Sequence, residues 1–265
     1  MTRVLDLSVE AAQVALELPD SFELDEVERG AALGTWLQRM RNEHVSARVF
    51  AALVGQMMKA GSPSSDISMV ASMIGEELEH GRLCAAVVLA LGGEPVMPVG
   101  HLEDVPTHDD AEPLEALLRN IISISCLSET VAVALIDAEH QEAGPEELQR
   151  ILREILADEV KHARFGWKLL ESHQKDLTPE LRGRLGDYLV EAFLHLRQHE
   201  LEFLPPTPSP SEKAAEYGVC DGMDARQLFF DTVDSVIIPR LEEFGIPARD
   251  AWRASLVLEQ RLAAN

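Results

Sequence analysis

Two short segments of this chain pair a glutamate with a histidine three residues later. In Glu-Glu-Leu-Glu-His, Glu77 precedes His80, and in Asp-Glu-Val-Lys-His, Glu159 precedes His162. Residues three apart on a helix lie on the same face, about one turn from each other. A carboxylate and an imidazole placed in this way can bind one metal ion. Because the pattern occurs twice, with similar residues after it, we interpret it as an internal repeat of a metal-binding helix.

This pair of motifs resembles the metal sites of ferritin-type helical bundles, and the resemblance implies one further carboxylate from the helix that precedes each repeat. Glu43 and Glu129 are the candidates. Glu129 is the only charged residue between Arg119 and Asp137, in a stretch that is otherwise largely apolar or hydroxylated. Such a helix is predicted to be buried on all sides, and a buried carboxylate must be neutralised, paired or bound to metal. The predicted metal ligands are therefore Glu43, Glu77, His80, Glu129, Glu159 and His162.

The positions of the turns support this choice of glutamates. In an antiparallel helical hairpin, two residues at the same level lie equally far from the turn. The midpoint of the first pair of glutamates is Ala60, followed by Gly61, and the midpoint of the second pair is Gly144, followed by Pro145. Glycine after a helix and proline at the start of the next are typical of such turns. We therefore predict two helical hairpins.

The same pattern predicts an all-α fold. We expect a single domain over residues 1–265, with a four-helix core over residues 30–172. Residues 92–112, rich in glycine and proline, are long enough to cross the full length of such a core between the second and third helices. Additional helices are predicted over residues 173–265, with a proline-rich connection at 204–211.

The C-terminal region shows three more helical patterns. Thr178 and Pro179 are typical of the start of a fifth helix. Two further helices are predicted at about 224–244, with a break at Pro239, and at about 248–263. On the fifth helix, His195 and His199 lie four residues apart. No glutamate accompanies them in the repeated pattern, so we expect them on a polar face rather than at a metal.

The ordered set of four glutamates and two histidines resembles the ferritin-like di-iron carboxylate superfamily over residues 30–172, without matching one subgroup. In that superfamily the acid directly before each Glu-x-x-His holds the histidine of the opposite repeat. The resemblance therefore implies that Asp158 orients His80 and that Glu76 orients His162, through the ring nitrogen that does not bind metal.

The predicted cofactor is a pair of iron ions. Four glutamates carry four negative charges, which two divalent cations cancel inside a protein core. Oxygen-rich ligation with one imidazole per metal favours iron, with a manganese/iron or manganese pair as the second choice.

Side chains one helical turn from the ligands are mostly apolar, which is typical of a dry pocket that directs an oxidant to an organic substrate. We expect an oxidase or oxygenase that uses O2 to oxidise a small, partly apolar molecule. No flavin or nicotinamide motif appears, so an external electron donor is expected. Two alternatives stay open: an iron-handling or peroxide-detoxifying protein, and a non-catalytic metal-binding scaffold. The apolar side chains one turn from the ligands would also suit an ordinary helical core. The predicted lining is Met40, Ala47, Met73, Ile122, Ser125, Cys126, Val133 and Ile155.

Composition narrows the class of partner. The net charge is −23, which disfavours nucleic acid. Three cysteines without metal-type spacing agree with a reducing compartment. Charged residues interrupt the apolar positions near the N-terminus, so we expect neither a signal peptide nor a membrane span there. A cytoplasmic monomer or homodimer without a membrane partner is predicted.

Overall fold

Helices make up most of this protein, which confirms the all-α prediction. The computed structural model describes residues 3–18, 23–102, 104–207 and 211–263. The helices are α1 (Ser8–Ala11), α2 (Glu26–Lys59), α3 (Ser64–Ala90), α4 (Pro113–Ile121), α5 (Glu129–Glu142), α6 (Glu146–Ser172), α7 (Pro179–Phe203), α8 (Glu212–Glu216), α9 (Gly222–Thr232), α10 (Ile238–Glu243) and α11 (Ala248–Ala263). Two π-helical segments, Ile122–Ser128 and Val233–Ile237, join α4 to α5 and α9 to α10.

Two short strands add a feature that the sequence pattern does not indicate. Strand β1 (Val4–Asp6) pairs antiparallel with β2 (Val96–Pro98), with Leu5 opposite Met97. Three residues are too few to show the alternation of apolar and polar side chains by which strands are recognised. The pairing attaches the N-terminal segment to the connection between α3 and α4.

The chain divides into two compact units, and α5 and α6 contribute residues to both. The predictions of a single domain and of a ferritin-like four-helix core stay predictions. The first unit contains residues 1–106, 136–158 and 208–221, and the second contains residues 107–135, 159–207 and 222–265.

In the first unit, α2 and α3 form a hairpin. A capping box starts α2: the Asp25 carboxylate accepts from the Glu28 amide, and the Glu28 carboxylate accepts from the Asp25 amide, both at 2.9 Å. The predicted turn is present, and Gly61 has φ +73°, a conformation that suits glycine. Apolar side chains of both helices are buried, among them Trp36, Phe50, Leu53, Met57, Val70 and Val87.

The predicted second turn is also present, because α5 ends at Glu142 and α6 begins at Glu146. The Gly144 amide donates to the Glu216 carbonyl at 3.0 Å. A Cβ at this glycine would lie 3.0 Å from Glu216, so the turn packs closely against α8.

The connection between α3 and α4 runs beside α2. The Val99 carbonyl accepts from Arg41, Asp104 pairs with Arg48 at 3.0 Å, and the Pro106 carbonyl accepts from Gln56 at 2.8 Å. These contacts follow α2 in order over 15 residues, or roughly 22 Å of helix. This segment therefore runs alongside α2, and its role as a crossover stays a prediction.

In the second unit, α7 begins as predicted. Thr178 Oγ1 accepts from the Leu181 amide at 3.3 Å, and Pro179 is the first helical residue. The helix ends at Phe203, before the proline-rich connection, of which residues 208–210 lie outside the described residues. Helix α7 packs on α11, where the buried Arg197 pairs with Glu259 at 3.0 Å.

The predicted break at Pro239 is wrong. The chain stays helical from α9 to α10, and the π-helical segment Val233–Ile237 lies just before the proline. Proline has no amide hydrogen to donate and crowds the preceding turn. A wider turn there accommodates it without ending the helix.

Among the described residues, one helix is long and apolar enough to cross a membrane by length and composition alone, namely Pro113–Glu142. The core helix of a soluble protein passes the same test. Glu129 lies on this helix and is buried inside the protein, which suits a core position. The cytoplasmic location stays a prediction.

Candidate metal centre

Four helices carry the six predicted ligands, and all six side chains are buried. Glu43 lies on α2, Glu77 and His80 lie on α3, Glu129 is the first residue of α5, and Glu159 and His162 lie on α6.

The first ligand set, in the first unit, consists of Glu43, Glu77 and His80. Each offers one ligand atom, and these atoms lie within 4.8 Å of one another. His80 Nδ1 is 3.6 Å from Glu43 Oε2. On the other side of the ring, Nε2 is 3.2 Å from Asp158 Oδ2. Nδ1 is therefore the nitrogen directed at the glutamates, and Asp158 holds the opposite nitrogen.

The second ligand set, in the second unit, consists of Glu129, Glu159 and His162. Its ligand atoms also lie within 4.8 Å of one another. His162 Nδ1 is 3.1 Å from Glu159 Oε2 and 3.9 Å from Glu129 Oε2. In both sets, Nδ1 of the histidine lies within 3.9 Å of a carboxylate oxygen on the preceding helix, at 3.6 Å from Glu43 and at 3.9 Å from Glu129. The second histidine is closer to Glu159 on its own helix.

The expected contact of Asp158 with His80 is present, whereas that of Glu76 with His162 stays a prediction. Asp158 retains 18% of its side-chain exposure, while His80 retains 1%. A carboxylate that is partly in water can keep its charge more easily than a fully buried one. It can therefore hold a proton on His80 Nε2 and leave Nδ1 as the acceptor atom.

Glu129 follows directly after the π-helical segment Ile122–Ser128. A π-helical turn is wider than an α-helical turn and often occurs at functional sites. Here it rotates all later residues of α5 relative to α4. The direction of Glu129 therefore depends on a feature that regular helical spacing does not include.

Gly166, one turn after His162, lets α6 approach this π-helical segment closely. A Cβ on Gly166 would lie 2.4 Å from Ser125 Cβ and 3.2 Å from Cys126 Sγ. No real Cβ tolerates the first distance, so only glycine fits without a shift of the backbone. The contact sets the spacing between the helices of the second ligand set.

Sequence reasoning missed the ion pair between Arg39 and Glu139 in the first unit. Arg39 lies one turn before Glu43 on the buried face of α2, and its guanidinium is 5.1 Å from the Trp36 ring. Burial acts to lower the pKa of Arg39, but Glu139, together with the nearby Cys84 and Glu43, more than offsets this, so the pKa is raised above its ordinary value. Arg39 lies four residues before Glu43, so helical geometry already placed its charge on the same face as a predicted ligand.

Cys84, one turn after His80, is also close to the first ligand set. Burial and the nearby Glu43 carboxylate raise the pKa of this thiol well above its ordinary value. Burial likewise raises the pKa of Cys126. Both side chains are therefore neutral thiols at neutral pH and do not add charge to the sets.

Seven of the eight predicted pocket residues are buried, and Val133 is half-buried. Two cavities in the second unit, of about 340 Å³ and 460 Å³, are lined by other residues. The assignment of a substrate pocket to the predicted residues stays a prediction. These residues are Met40, Ala47, Met73, Ile122, Ser125, Cys126, Val133 and Ile155.

Among the described residues, two groups of side chains lie close enough together to hold a metal ion. Neither group includes His195 or His199. Their rings stack at 6.3 Å, and His199 Nδ1 is 3.3 Å from Glu200 Oε1. This agrees with a polar-face role.

Comparison with known proteins finds no protein-family model that matches this chain and no similar sequence among curated proteins. The geometry of the two ligand sets is therefore the basis for a functional proposal.

Proposed function

We propose that this protein is a di-iron oxidase or oxygenase that uses O2 to oxidise a small, partly apolar organic molecule. The observation that carries the proposal is the presence of two buried ligand sets, each with two glutamates and one histidine whose ligand atoms lie within 4.8 Å of one another.

The buried carboxylates support the presence of cations. In each set, oxygen atoms of the two glutamates lie within 4.8 Å of each other. Like charges this close repel strongly in a protein interior unless a cation or a proton lies between them. The donors are hard oxygens with one imidazole per set, which suit iron or manganese better than copper or structural zinc.

Helix α6 carries residues that belong to both parts of this proposal. Asp158 contacts His80 of the first set, and the next residue in the same helix is Glu159 of the second set. We infer that the two sets together hold two iron ions. In this proposal α2, α3, α5 and α6 form a ferritin-like four-helix core, and residues 92–112 form its crossover.

Each group has a defined role in this proposal. The four glutamates and the Nδ1 atoms of His80 and His162 bind the metal ions, and Asp158 keeps the proton on His80 Nε2. Buried apolar side chains such as Met73 and Ile122 exclude water from the centre. When bound, the iron pair would supply the reduction of O2, with electrons from an external donor.

The test is to prepare the protein under iron-replete conditions and measure iron content and O2 consumption. We expect about two irons per chain and O2 uptake that requires a reductant and an organic substrate. Turnover of excess Fe(II) without an organic substrate would favour the iron-handling alternative instead. Absence of iron would contradict both enzyme proposals and favour the scaffold.

A pair of histidine variants makes this test specific. His80→Ala should lose iron, whereas His173→Ala should retain it, because His173 contacts the exposed Asp176 at 2.9 Å and belongs to neither ligand set. Equal iron contents would contradict the site assignment.

A further inference from the structure

The C-terminal helices contact the segment that positions Glu129. The π-helical segment Val233–Ile237 packs against the π-helical segment Ile122–Ser128, whose last residue directly precedes Glu129. Both segments belong to the second unit. The sequence indicates helices in the C-terminal region but no role for them.

A buried tryptophan connects α6 to the start of α5. Trp167 is 3% exposed, and its Nε1 donates to Thr130 Oγ1 at 3.1 Å. Thr130 is the residue after Glu129 and lies in the first turn of α5. Trp167 is itself five residues after His162 on α6. This hydrogen bond therefore joins the two helices that carry the second ligand set.

The first ligand set lacks an equivalent hydrogen bond. The residue five positions after His80 is Ala85, and the residue after Glu43 is His44. Alanine has no polar side-chain atom to donate. The tryptophan contact is thus specific to the second repeat.

Arg240 of α10 lies over the ring of this tryptophan. Its guanidinium carbon is 4.7 Å from the centre of the Trp167 ring. A guanidinium over an indole face is attracted by the partial negative charge of the π-electron face. Arg240 also lines the 460 Å³ cavity, with residues from α6, α10 and the second π-helical segment.

We propose that Trp167 is a positioning residue for Glu129 and that the C-terminal helices hold Trp167 in place through Arg240. The inference rests on the proposed metal function and extends it to residues that cannot bind metal. An unsupported π-helical segment lacks the regular bond pattern of an α-helix. Fixing Thr130 limits the rotation of α5 directly after that segment, and thereby the direction of the Glu129 carboxylate.

The test uses Trp167→Phe, which keeps an aromatic ring but removes the donor, and Thr130→Val, which keeps the shape but removes the acceptor. Co(II) is the probe, because its absorption spectrum reports coordination geometry. We expect each variant to weaken one of two Co(II) sites by about fivefold, the effect of one hydrogen bond. The double variant should lose no more than either single variant, because both remove the same bond.

Trp252→Phe is the matched control. Trp252 also lies in the second unit with an arginine over its ring, because the Arg197 guanidinium carbon is 5.1 Å from the ring centre. Among the described residues, the ring contacts of Trp252 are with Phe193 and Phe230, and the partner of Thr130 is Trp167. Substitution of Trp252 should leave both Co(II) affinities and the spectrum unchanged. Arg240→Met should resemble Trp167→Phe with a smaller effect.

The outcomes separate this inference from the proposed function. If the wild-type protein binds Co(II) and Trp167→Phe behaves like Trp252→Phe, or if the effects of the two single variants add, the positioning role is wrong. If the wild-type protein binds no Co(II), both the proposed function and this inference fail. In the metal-free protein, amide exchange at Thr130 and Val131 should be faster in Trp167→Phe than in Trp252→Phe, and equal rates would also contradict the inference.

Discussion

His80 Nε2 lies 3.2 Å from Asp158 Oδ2, on the side of the ring opposite to Glu43. The two residues are 78 positions apart in the chain. Asp158 is thereby placed to orient the imidazole and to accept a proton from its Nε2. The atom left for a metal is Nδ1.

We predict that Asp158→Asn weakens metal binding by about tenfold or more, because carboxylate partners of ligating histidines typically contribute this much. Titration with Co(II) or Fe(II) measures the change. The control is Asp176→Asn, which alters another contact between an aspartate and a histidine, at His173 on the surface. Equal affinity in the two variants would show that Asp158 does not orient a ligand.

We predict opposite effects from two substitutions of buried glutamates. Glu129→Gln should abolish metal binding at the second set and leave the stability of the metal-free protein unchanged or raised by about 1 kcal/mol, because it removes repulsion between close carboxylates. Urea unfolding and metal titration measure the two properties. A large loss of stability in the metal-free protein would argue for a structural glutamate instead.

The comparison is Glu115→Gln, also a buried carboxylate in the second unit. Glu115 Oε1 and Oε2 each accept from an arginine at 2.7 Å, Arg119 and Arg184 respectively. Arg184 is 51% exposed, so solvent screens part of this interaction. We expect a loss of roughly 1–3 kcal/mol in the free energy of unfolding with metal binding retained.

Gly166→Ala should destabilise the protein by roughly 1–3 kcal/mol, the usual cost of overpacking. The added methyl would overlap Ser125 and move α6 away from the segment before Glu129, so metal affinity should fall as well. Gly81→Ala is the control, because its Cβ would meet only ordinary contacts at 3.6 Å or more. Alanine should raise helix stability there by up to about 1 kcal/mol. Equal stabilities of the two variants would contradict the close approach at Gly166.

Stability should decrease as the pH rises above 9. Burial and the nearby Glu139 carboxylate raise the pKa of Cys220 to about 12 from an ordinary value of 9.0. Between these values the unfolded chain has lost a thiol proton that the folded chain keeps, so rising pH favours unfolding by about 1.4 kcal/mol per pH unit for one such thiol. Cys84 and Cys126, whose pKa values are also raised, add to the slope.

Urea unfolding at pH 8, 9 and 10 would measure this dependence. Cys220→Ala should show a shallower decrease than the wild-type protein, because its share of the proton difference is removed. The same slope in both proteins would show that folding does not raise the pKa of Cys220.

The sequence predicted the hairpin turns well because they depend on local residues. Gly61 and Gly144 stand between helical patterns, and each turn formed at the predicted place. Pro239 misled the same reasoning, because the effect of a proline depends on how the surrounding helix can adjust. The π-helical segments were not predictable, since no periodicity distinguishes them from α-helix over so few residues.

The chemical identity of the candidate site was determined by the sequence alone. The types, order and spacing of Glu77, His80, Glu159 and His162 follow from helical geometry, which places residues three apart on one face. Their partners in the preceding helices followed from the positions of the turns. Local rules suffice for these features because each depends on one helix or on one hairpin.

Only the tertiary structure decided how the ligands are held. Asp158 against His80, Trp167 against Thr130, and the close approach at Gly166 each join residues far apart in the chain. Such contacts depend on the distance and rotation between packed helices, which no single segment encodes. The physical reason is that a ligand type is a property of one residue, whereas the direction of its ring or carboxylate is a property of the packing around it.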